Sequence, residues 1–281
     1  MNRISTHFLD LEGIKTAYYS TEGEGTPIVL LHGGGVDHAM LSWKTIMQTW
    51  TGSQPLVALD LPGYGNSDKP ELEYSLSFYT GFLNAFLDTL NAQNVTLCGL
   101  SMGGAIALQY ALRYPNYIGK LVLVAPWGVS ASVPYSLMGR LLVRLPLNQV
   151  AYKTLQNRWL AKNIIAGSLI GNREKITPEI LDEVQTAAHS KDAARVFQSF
   201  QISELWGDHP VGHLIPLLPQ IKVPTLFIQG DKDPGVKVGD VKQAAASMLN
   251  ARVEIFEHHK HWVQKESPER FVDIVRDFIE S

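Results

Sequence analysis

A serine flanked by two glycines stands where a buried strand gives way to a helix. The segment Gly99–Gly103 follows the apolar run Val95–Cys98 and opens the stretch Met102–Tyr114, where alanines recur at helical spacing. Joining the two elements directly requires a sharp turn, and its glycines lack the Cβ atoms that would collide across it. Such a turn holds the Ser101 hydroxyl clear of the backbone at a helix N-terminus, where developing negative charge is favoured. We predict that Ser101 is a nucleophile.

On both sides of this turn, strands and helices alternate along the chain. After two short strands of antiparallel type, the apolar runs of strand character are Pro27–Leu31, Pro55–Asp60, Val95–Cys98, Lys120–Ala125, Val223–Gln229 and Arg252–Phe256. The first two strands are predicted at His7–Leu11 and Lys15–Ser20, and further helices at Ser75–Leu90, Val238–Leu249 and Pro268–Ile279. Alternation of this kind predicts an α/β fold with a mostly parallel sheet and helices on both of its faces.

The alternation is interrupted from Trp127 to about Gln220, where no strong strand pattern occurs. The helical stretches of this region are Leu137–Leu145, Val150–Ile165, Pro178–Ala188 and Ala193–Ser203. A helical block between two runs of βα units is typical of a lid over the catalytic edge of a sheet. We therefore predict a core domain formed by residues 1–126 and 221–281, with residues 127–220 inserted as a cap.

A serine hydroxyl needs a base to remove its proton, and a histidine base needs a carboxylate to orient it. The tract Gln229–Gly235 follows one predicted strand, and the tract Glu257–Trp262 follows the last one. Both lie at carboxyl ends of strands, as Ser101 does, and open α/β sheets build their sites there. The residues alone leave two aspartates and three histidines as candidates. They are Asp231, Asp233, His258, His259 and His261.

The glycine–serine–glycine turn, followed in order by an acid and a histidine, resembles the α/β-hydrolase-fold serine hydrolases over essentially the whole chain. The resemblance implies a central, mostly parallel sheet with an inserted helical lid. In that family the acid commonly follows a Gly-x-x-Asp pattern, which selects Asp233 over Asp231. The histidine commonly precedes an aromatic residue, which selects His261 over the two histidines before it. Lys260 stands where the family often has glycine.

A glycine-rich loop, His32–Gly35, follows the strand Pro27–Leu31. Glycines at such a place let backbone N–H groups come close to a substrate oxygen. The resemblance assigns the oxyanion hole to the amides of Gly34 and of Met102, the residue after the nucleophile. For His32 we expect a structural role in the loop.

The cap and the loops beneath it are rich in aromatic and apolar side chains, which favours a hydrophobic acyl or alcohol group in the substrate. The predicted substrate-binding residues are Trp127, Met138, Phe197, Trp206 and Trp262. The predicted helices of the cap carry four arginines, which we expect on solvent-facing positions unless one binds a substrate carboxylate. These arginines are Arg140, Arg144, Arg158 and Arg195.

We predict a hydrolase of carboxylic esters that works through an acyl-enzyme. Hydrolysis of a carbon–carbon bond in a meta-cleavage-type diketone acid is an alternative, because the His32–Gly35 loop and the pair His261-Trp262 resemble that subfamily. Leu100, however, stands where those enzymes commonly carry asparagine. A lactonase is a third possibility, and a non-catalytic ligand-binding module on the same fold is an alternative of another class.

Charge, cysteine content and glycine motifs limit which binding partners, cofactors and cellular compartment we expect. The net charge is −3, so nothing points to nucleic acid or to an acidic membrane surface. We expect a cytoplasmic protein, because no signal peptide or membrane span is recognisable. A small molecule is the expected substrate, and the protein is expected to be a monomer or a homodimer. The lone Cys98 is predicted to be a buried hydrophobe. No cofactor is expected, since the glycine motifs lack nucleotide-binding spacing. The His209/His213 pair is not predicted to bind a metal.

Overall fold

The computed structural model describes residues 1–129, 143–145, 147–190, 192–206 and 214–281. Its strands form one eight-stranded sheet with the order β1-β2-β4-β3-β5-β6-β7-β8. These strands are β1 (Ile4–Leu11), β2 (Ile14–Thr21), β3 (Ile28–Leu31), β4 (Leu56–Leu59), β5 (Val95–Leu100), β6 (Ile118–Val124), β7 (Thr225–Gly230) and β8 (Ala251–Phe256). The strands from β3 to β8 pair in parallel, whereas β2 pairs antiparallel with β1 and β4. The predicted sheet is therefore confirmed.

The described helices alternate with these strands. They are α1 (Ala39–Thr49), α2 (Leu76–Thr89), α3 (Met102–Arg113), α4 (Leu147–Leu155), α5 (Arg158–Ser168), α6 (Pro178–Ala188), α7 (Ala193–Trp206), α8 (Val238–Ala246), α9 (Val263–Glu266) and α10 (Pro268–Glu280). Short 3-10 turns occupy Pro115–Tyr117, Arg173–Lys175 and Ile215–Gln220. None of the helices in the described ranges is long and apolar enough to cross a lipid bilayer.

One sequence-based prediction about a helix is wrong, and one helix is not predicted. The single helix predicted over Val150–Ile165 is broken into α4 and α5, because the Asn157 side chain accepts a hydrogen bond from the Leu160 amide at 3.1 Å and caps a new helix. Helix α1 is absent from the prediction, yet it forms with the His38 side chain as its N-cap. In contrast, α6 has the predicted bounds, with Thr177 as N-cap and a proline in its first turn.

The core lies in two layers, one on each face of the sheet. Alternate residues of β3 serve the two layers, because successive side chains of a strand point to opposite faces. Val29 packs in the layer under α2 and α3, whereas Ile28 packs in the layer under α1 and α10. Burial on both faces explains the continuous apolar runs in the sequence. Cys98 is fully buried in the second layer, and burial raises the pKa of its thiol.

Four described helices, α4 to α7, lie between β6 and β7, the part of the sequence predicted to be helical. Helix α7 packs on the first core layer through Phe200, and α5 packs on the second through Ile165. The buried Glu266 carboxylate accepts hydrogen bonds from the amides of Gly171 and Asn172, at 2.8 and 2.7 Å, and ties the chain after α5 to α9. Most of the predicted helix Leu137–Leu145 lies outside the described residues.

Candidate active site

Ser101 occupies the turn between β5 and α3. Its φ of 51° and ψ of −112° put a non-glycine residue in a sparsely populated backbone conformation. A Cβ atom on Gly99 would lie 2.3 Å from the Gly103 carbonyl oxygen, and one on Gly103 would lie 2.4 Å from the Leu31 carbonyl oxygen. Both distances are far below a van der Waals contact. The turn predicted from the sequence thus exists, and both of its glycines are required.

Hydrogen bonds from three directions hold this strained residue. The Ser101 amide donates to the Val124 carbonyl at 2.9 Å. The Ser101 carbonyl accepts from the Trp127 amide at 2.9 Å and from the Ala105 amide at 3.1 Å. The end of β6 and the first turn of α3 therefore impose the conformation of the serine.

The predicted acid and base meet at the same edge of the sheet. Asp233 lies in the turn after β7, and His261 lies in the loop after β8. The Nδ1 atom of His261 donates to the Oδ2 atom of Asp233 at 2.7 Å. The Asp233 side chain is fully buried, whereas 17% of the His261 side chain is exposed. Because Nδ1 carries the proton in this pair, Nε2 is left as the basic nitrogen of the neutral ring.

The Asp233 carboxylate accepts four hydrogen bonds. Oδ2 accepts from His261 and from the Gln229 side-chain amide, the latter at 3.2 Å. Oδ1 accepts from the amides of Gly235 and Val236, at 2.8 and 3.1 Å. Burial by itself would raise the pKa of Asp233, but His261 and the two amides outweigh burial and hold that pKa below its ordinary value. The carboxyl group is therefore ionised at neutral pH and can stabilise a histidine cation.

The other candidates from the sequence lie apart from this pair. Asp231 forms an ion pair with Lys232, with 3.5 Å between the Oδ2 and Nζ atoms. His258 is exposed. The ring of His259 is bound between the Glu257 carbonyl and the Ser267 hydroxyl, each at 2.6 Å. The structure thus places Asp233 in hydrogen-bond contact with His261, the two residues that the family pattern selects. The other candidates take no part in this hydrogen bond.

Lys260, which departs from the family pattern, links the histidine loop to the cap. Its ammonium group donates to the carbonyls of Ala166 and Gly167, the latter at 2.9 Å. These carbonyls belong to the last turn of α5, where a cation is favoured by the helix dipole. The lysine therefore has a structural role next to His261.

The glycine-rich loop after β3 is organised by Asp37. The Asp37 carboxylate accepts from the Gly33 amide at 2.8 Å and from the Ser42 hydroxyl of α1 at 2.8 Å. Asp37 is 5% exposed, so these hydrogen bonds form in a largely dry environment. They fix the loop against α1.

His32 serves the same loop. Its Nε2 accepts from the Leu61 amide at 3.2 Å, so Nδ1 carries the proton and donates to the Gly33 carbonyl at 2.7 Å. Full burial is the main influence on the ring, and it lowers the pKa of His32 despite the carboxylates of Asp37 and Asp60 nearby. The ring is therefore neutral, and both of its nitrogens are used in shaping the loop.

The two predicted oxyanion residues line the same cavity as Ser101. Met102 is the first residue of α3, where the backbone amides have no partner within the helix. Gly34 lies under the cap helix α7, so close that a Cβ atom on the glycine would be 2.5 Å from the Phe197 ring. The Met102 sulfur would be 3.3 Å from the same atom. Only glycine allows this approach of loop, helix and cap.

Two cavities open beside Ser101. The acid-side cavity, of about 240 Å³, is bounded by Met102, Trp127, Phe200, Asp233 and Val236. The loop-side cavity, of about 320 Å³, is bounded by Gly33, Gly35, Leu100, Tyr152 and Trp262. Both cavities also share a set of lining residues, which are Gly34, Ser101, Leu169, Phe197 and His261. A molecule held at Ser101 can therefore extend in two directions.

Three of the five predicted substrate-binding residues line these cavities, namely Trp127, Phe197 and Trp262. Met138 lies outside the described residues. Trp206 is the last residue of α7, and its side chain is outside the part that the structure describes.

Among the described residues, no lysine or arginine lines either cavity. Arg158 forms an ion pair with Asp182 on the outside of the cap. Arg195 donates to the Lys69 carbonyl at 3.0 Å and pairs with Asp192. Arg140, His209 and His213 lie outside the described residues. The described walls of the cavities thus offer no cation to a substrate carboxylate.

Two residues that support the site, Asp37 and Gln229, are absent from the sequence-based prediction. Gln229 is fully buried, and its side-chain amide donates to Asp233 and, at 2.9 Å, to the Val236 carbonyl. A signal exists for each residue. Gln229 is a polar residue at the end of an apolar strand, and Asp37 is an acid that closes a glycine-rich loop just before a helix.

Known proteins resemble this chain along most of its length. A model of the alpha/beta hydrolase fold family matches residues 26–268. An uncharacterized protein of Mycobacterium tuberculosis is 29% identical over 286 residues, covering 98% of this chain and 81% of the relative. A 2-hydroxy-6-oxo-6-phenylhexa-2,4-dienoate hydrolase of Comamonas testosteroni is 27% identical over 271 residues, covering 93% of this chain and 90% of the relative.

A solved structure shows the same similarity at the level of the fold. The structure of a 2-hydroxy-6-oxo-6-phenylhexa-2,4-dienoate hydrolase from a Rhodococcus strain superposes with a TM-score of 0.82 at 18% identity, covering 100% of both chains. With the parallel sheet, the serine turn after β5 and the match of the family model, the relationship is clear. The chain belongs to the alpha/beta hydrolase fold family.

Proposed function

We propose that this protein is a serine hydrolase that cleaves uncharged carboxylic esters with an apolar acyl or alcohol part. In this proposal Ser101 is the nucleophile, His261 is the base and Asp233 orients the base. The observation that carries it is the 2.7 Å hydrogen bond between His261 and the buried Asp233, beside a serine on a strained turn. Ser101 and His261 line the same two cavities, so a substrate in either one meets both side chains.

The reaction follows from this arrangement. His261 Nε2 takes the Ser101 proton as the oxygen attacks the ester carbonyl, and the Asp233 carboxylate stabilises the resulting imidazolium. The amides of Gly34 and Met102 donate to the tetrahedral oxyanion. Collapse of that intermediate expels the alcohol, which receives the proton from His261, and leaves an acyl group on Ser101. Water, deprotonated by the same ring, then releases the acid.

The described cavity walls favour a neutral substrate. Burying a carboxylate without a cationic partner is strongly unfavourable, and the described lining contains neither lysine nor arginine. Leu100, which lines the loop-side cavity next to Ser101, is fully buried and apolar. At this position a diketone acid would meet an apolar side chain instead of the asparagine that the carbon–carbon hydrolases commonly carry, whereas an alkyl or aryl ester would fit.

Hydrolysis of a carbon–carbon bond is the second candidate. It is favoured by a relative at 27% identity that is named as a hydrolase of 2-hydroxy-6-oxo-6-phenylhexa-2,4-dienoate. It would use the same serine, histidine and aspartate. The described lining argues against it, because such a substrate carries a carboxylate. Lactone hydrolysis would follow the same steps as ester hydrolysis, with the leaving alcohol still attached.

A single panel of substrates distinguishes these activities. It contains p-nitrophenyl esters of increasing acyl length, simple lactones and a ring-cleavage diketone acid. We expect the esters to react fastest. Their kcat/KM should rise with acyl length until a cavity is filled, because each buried methylene lowers the free energy of the transition state by up to about 0.8 kcal/mol. A diketone acid turned over faster than every ester would replace the ester proposal by the second candidate.

A further inference from the structure

A residue that lines the substrate region carries a buried hydroxyl without a partner. Tyr152 lies on the cap helix α4, is 5% exposed and lines the loop-side cavity. Its hydroxyl makes no hydrogen bond to any part of the chain that the structure describes. A buried polar group in this state is unfavourable and rare in folded proteins, so it calls for a partner from outside the chain.

The surroundings of Tyr152 offer that hydroxyl little else. The side chains that form the apolar wall of the loop-side cavity are Leu100, Leu155, Ile164, Ile165, Val184 and Trp262. Asn148, one helical turn before Tyr152, also lines this cavity, but its side-chain amide donates to Gln201 at 2.7 Å. The Asp37 carboxylate is already engaged by the Gly33 amide and the Ser42 hydroxyl. The Tyr152 hydroxyl is therefore a buried polar group without a described partner, on a chamber whose walls are largely apolar.

The hydroxyl is available as a donor. Burial first, and the nearby Asp37 carboxylate second, raise the pKa of Tyr152. The phenol therefore keeps its proton at every pH at which the enzyme would work. A group that accepts a hydrogen bond, such as a ketone, ether or hydroxyl oxygen, is its natural complement.

We propose that Tyr152 determines specificity by donating a hydrogen bond to an oxygen on the part of the substrate that enters the loop-side cavity. The preferred substrate is then an ester with an apolar chain that carries an oxygen near the scissile carbonyl, rather than a plain hydrocarbon chain. This inference rests on the proposed ester hydrolysis.

Two pairs of matched esters test the inference, one for each half of an ester. Methyl hexanoate and methyl 3-oxohexanoate differ in the acyl part, and heptyl acetate and 2-butoxyethyl acetate differ in the alcohol part. In at least one pair, we expect Tyr152→Phe to reduce kcat/KM for the oxygenated ester about tenfold more than for its hydrocarbon partner, the effect of one hydrogen bond. Comparing each ester with itself in the two proteins removes differences in intrinsic reactivity.

Tyr110→Phe is the matched control. Tyr110 is fully buried, its hydroxyl donates to Asn84 at 3.0 Å, and it lines neither cavity. This variant should leave the ratio within each pair as it is in the wild type. Thermal unfolding adds a structural readout: Tyr152→Phe removes an unsatisfied buried hydroxyl, so its Tm should not fall, whereas Tyr110→Phe breaks a hydrogen bond and should lower Tm.

Binding without turnover separates this inference from the proposed reaction. In a Ser101→Ala background, the same esters can be titrated by tryptophan fluorescence, because Trp127 and Trp262 line the cavities. Tyr152→Phe should raise the Kd of the oxygenated ester about tenfold more than that of its partner. If the wild type hydrolyses none of the esters but this difference in Kd remains, the proposed reaction fails and the role of Tyr152 stands. Equal effects on both members of both pairs, in turnover and in binding, would overturn the inference.

Discussion

The ring of Phe197 on cap helix α7 packs against Gly34 so closely that a Cβ atom on the glycine would lie 2.5 Å from the ring carbon Cε2. This contact joins the cap to the loop that is predicted to hold the oxyanion. It also lies where the acid-side and loop-side cavities meet, since both residues line both of them. Together with the hydrogen bonds of Asp37 and His32, this contact thus contributes to the position of the loop amide, and it also shapes the substrate region.

Gly34→Ala should therefore reduce turnover. The added methyl group must push away either the Phe197 ring or the loop. Losing an oxyanion donor typically costs about 100- to 1,000-fold in kcat, and displacing the loop amide should cost part of that. Steady-state kinetics on a p-nitrophenyl ester measure the effect. Gly81→Ala on α2 is the control, because a Cβ atom there meets nothing within 4 Å. That variant should keep its activity and gain up to about 1 kcal/mol in stability. Full activity of Gly34→Ala would contradict this prediction, because it would show that the added methyl group displaces no oxyanion donor.

Ser101→Ala should abolish ester hydrolysis while the protein remains folded. The backbone of this turn is held by amides and carbonyls, including the 2.9 Å hydrogen bond from the Ser101 amide to Val124, and the side-chain hydroxyl is not part of that support. Turnover and the thermal midpoint should be measured on the same preparation. If a well-folded variant kept its turnover, another residue would have to be the nucleophile.

The two aspartates after β7 give a matched pair of substitutions. Asp233→Asn should reduce kcat by several orders of magnitude, because an amide in that place no longer fixes the histidine tautomer or stabilises its cation. Asp231→Asn should reduce it far less, since that carboxylate pairs with Lys232. Kinetics of both variants against one ester decide the matter. The reverse order of severity would assign the acid to Asp231.

Glu204 on α7 should make stability depend on pH. Its carboxylate is 4% exposed and accepts a hydrogen bond from the Leu76 amide of α2 at 2.9 Å. Burial raises the pKa of Glu204 from 4.5 to about 7, and the amide only partly opposes this. Between these values the folded protein binds the proton more tightly than the unfolded chain. The contribution of Glu204 to the free energy of unfolding is therefore complete below pH 4.5. It is lost as the pH rises towards 7, and the loss amounts to up to about 3 kcal/mol.

Glu204→Gln should remove this pH dependence of stability, because the glutamine amide stays neutral at every pH and its oxygen still accepts a hydrogen bond. Thermal or denaturant unfolding at several pH values between about 4.5 and 7.5 measures it. Glu174→Gln, at an exposed position, should reproduce the wild-type profile. Identical pH profiles for the wild type and Glu204→Gln would show that the carboxylate is not the source.

The parts of the site that are local in sequence are those that the sequence predicts well. The turn at Ser101 needs only a strand, two glycines and a helix, so its geometry can be inferred from neighbouring residues. Selection of Asp233 and His261 depends instead on the family pattern, because composition and spacing alone do not distinguish between the two candidate aspartates or among the three candidate histidines. Their catalytic roles remain predictions, although their mutual hydrogen bond is present.

Contacts between distant segments account for what the sequence does not predict. The polar Gln229 at the end of an apolar strand is noticeable in the sequence, but the sequence does not show that its side chain will contact Asp233, and nothing near Tyr152 reveals that its hydroxyl will lack a partner. Hydrophobic periodicity also runs from α4 into α5 without a break. The split therefore depends on one capping side chain, Asn157, whose effect a pattern of apolar residues does not register.

The loop that carries His261 is fastened to the end of α5 on both sides of the histidine. Lys260 donates to the carbonyls of Ala166 and Gly167, and the Trp262 amide donates to the Leu169 carbonyl at 2.8 Å. The position of the proposed base therefore depends on the end of that helix as well as on Asp233. A substitution that shifts the end of α5 should consequently change turnover even if it touches no substrate.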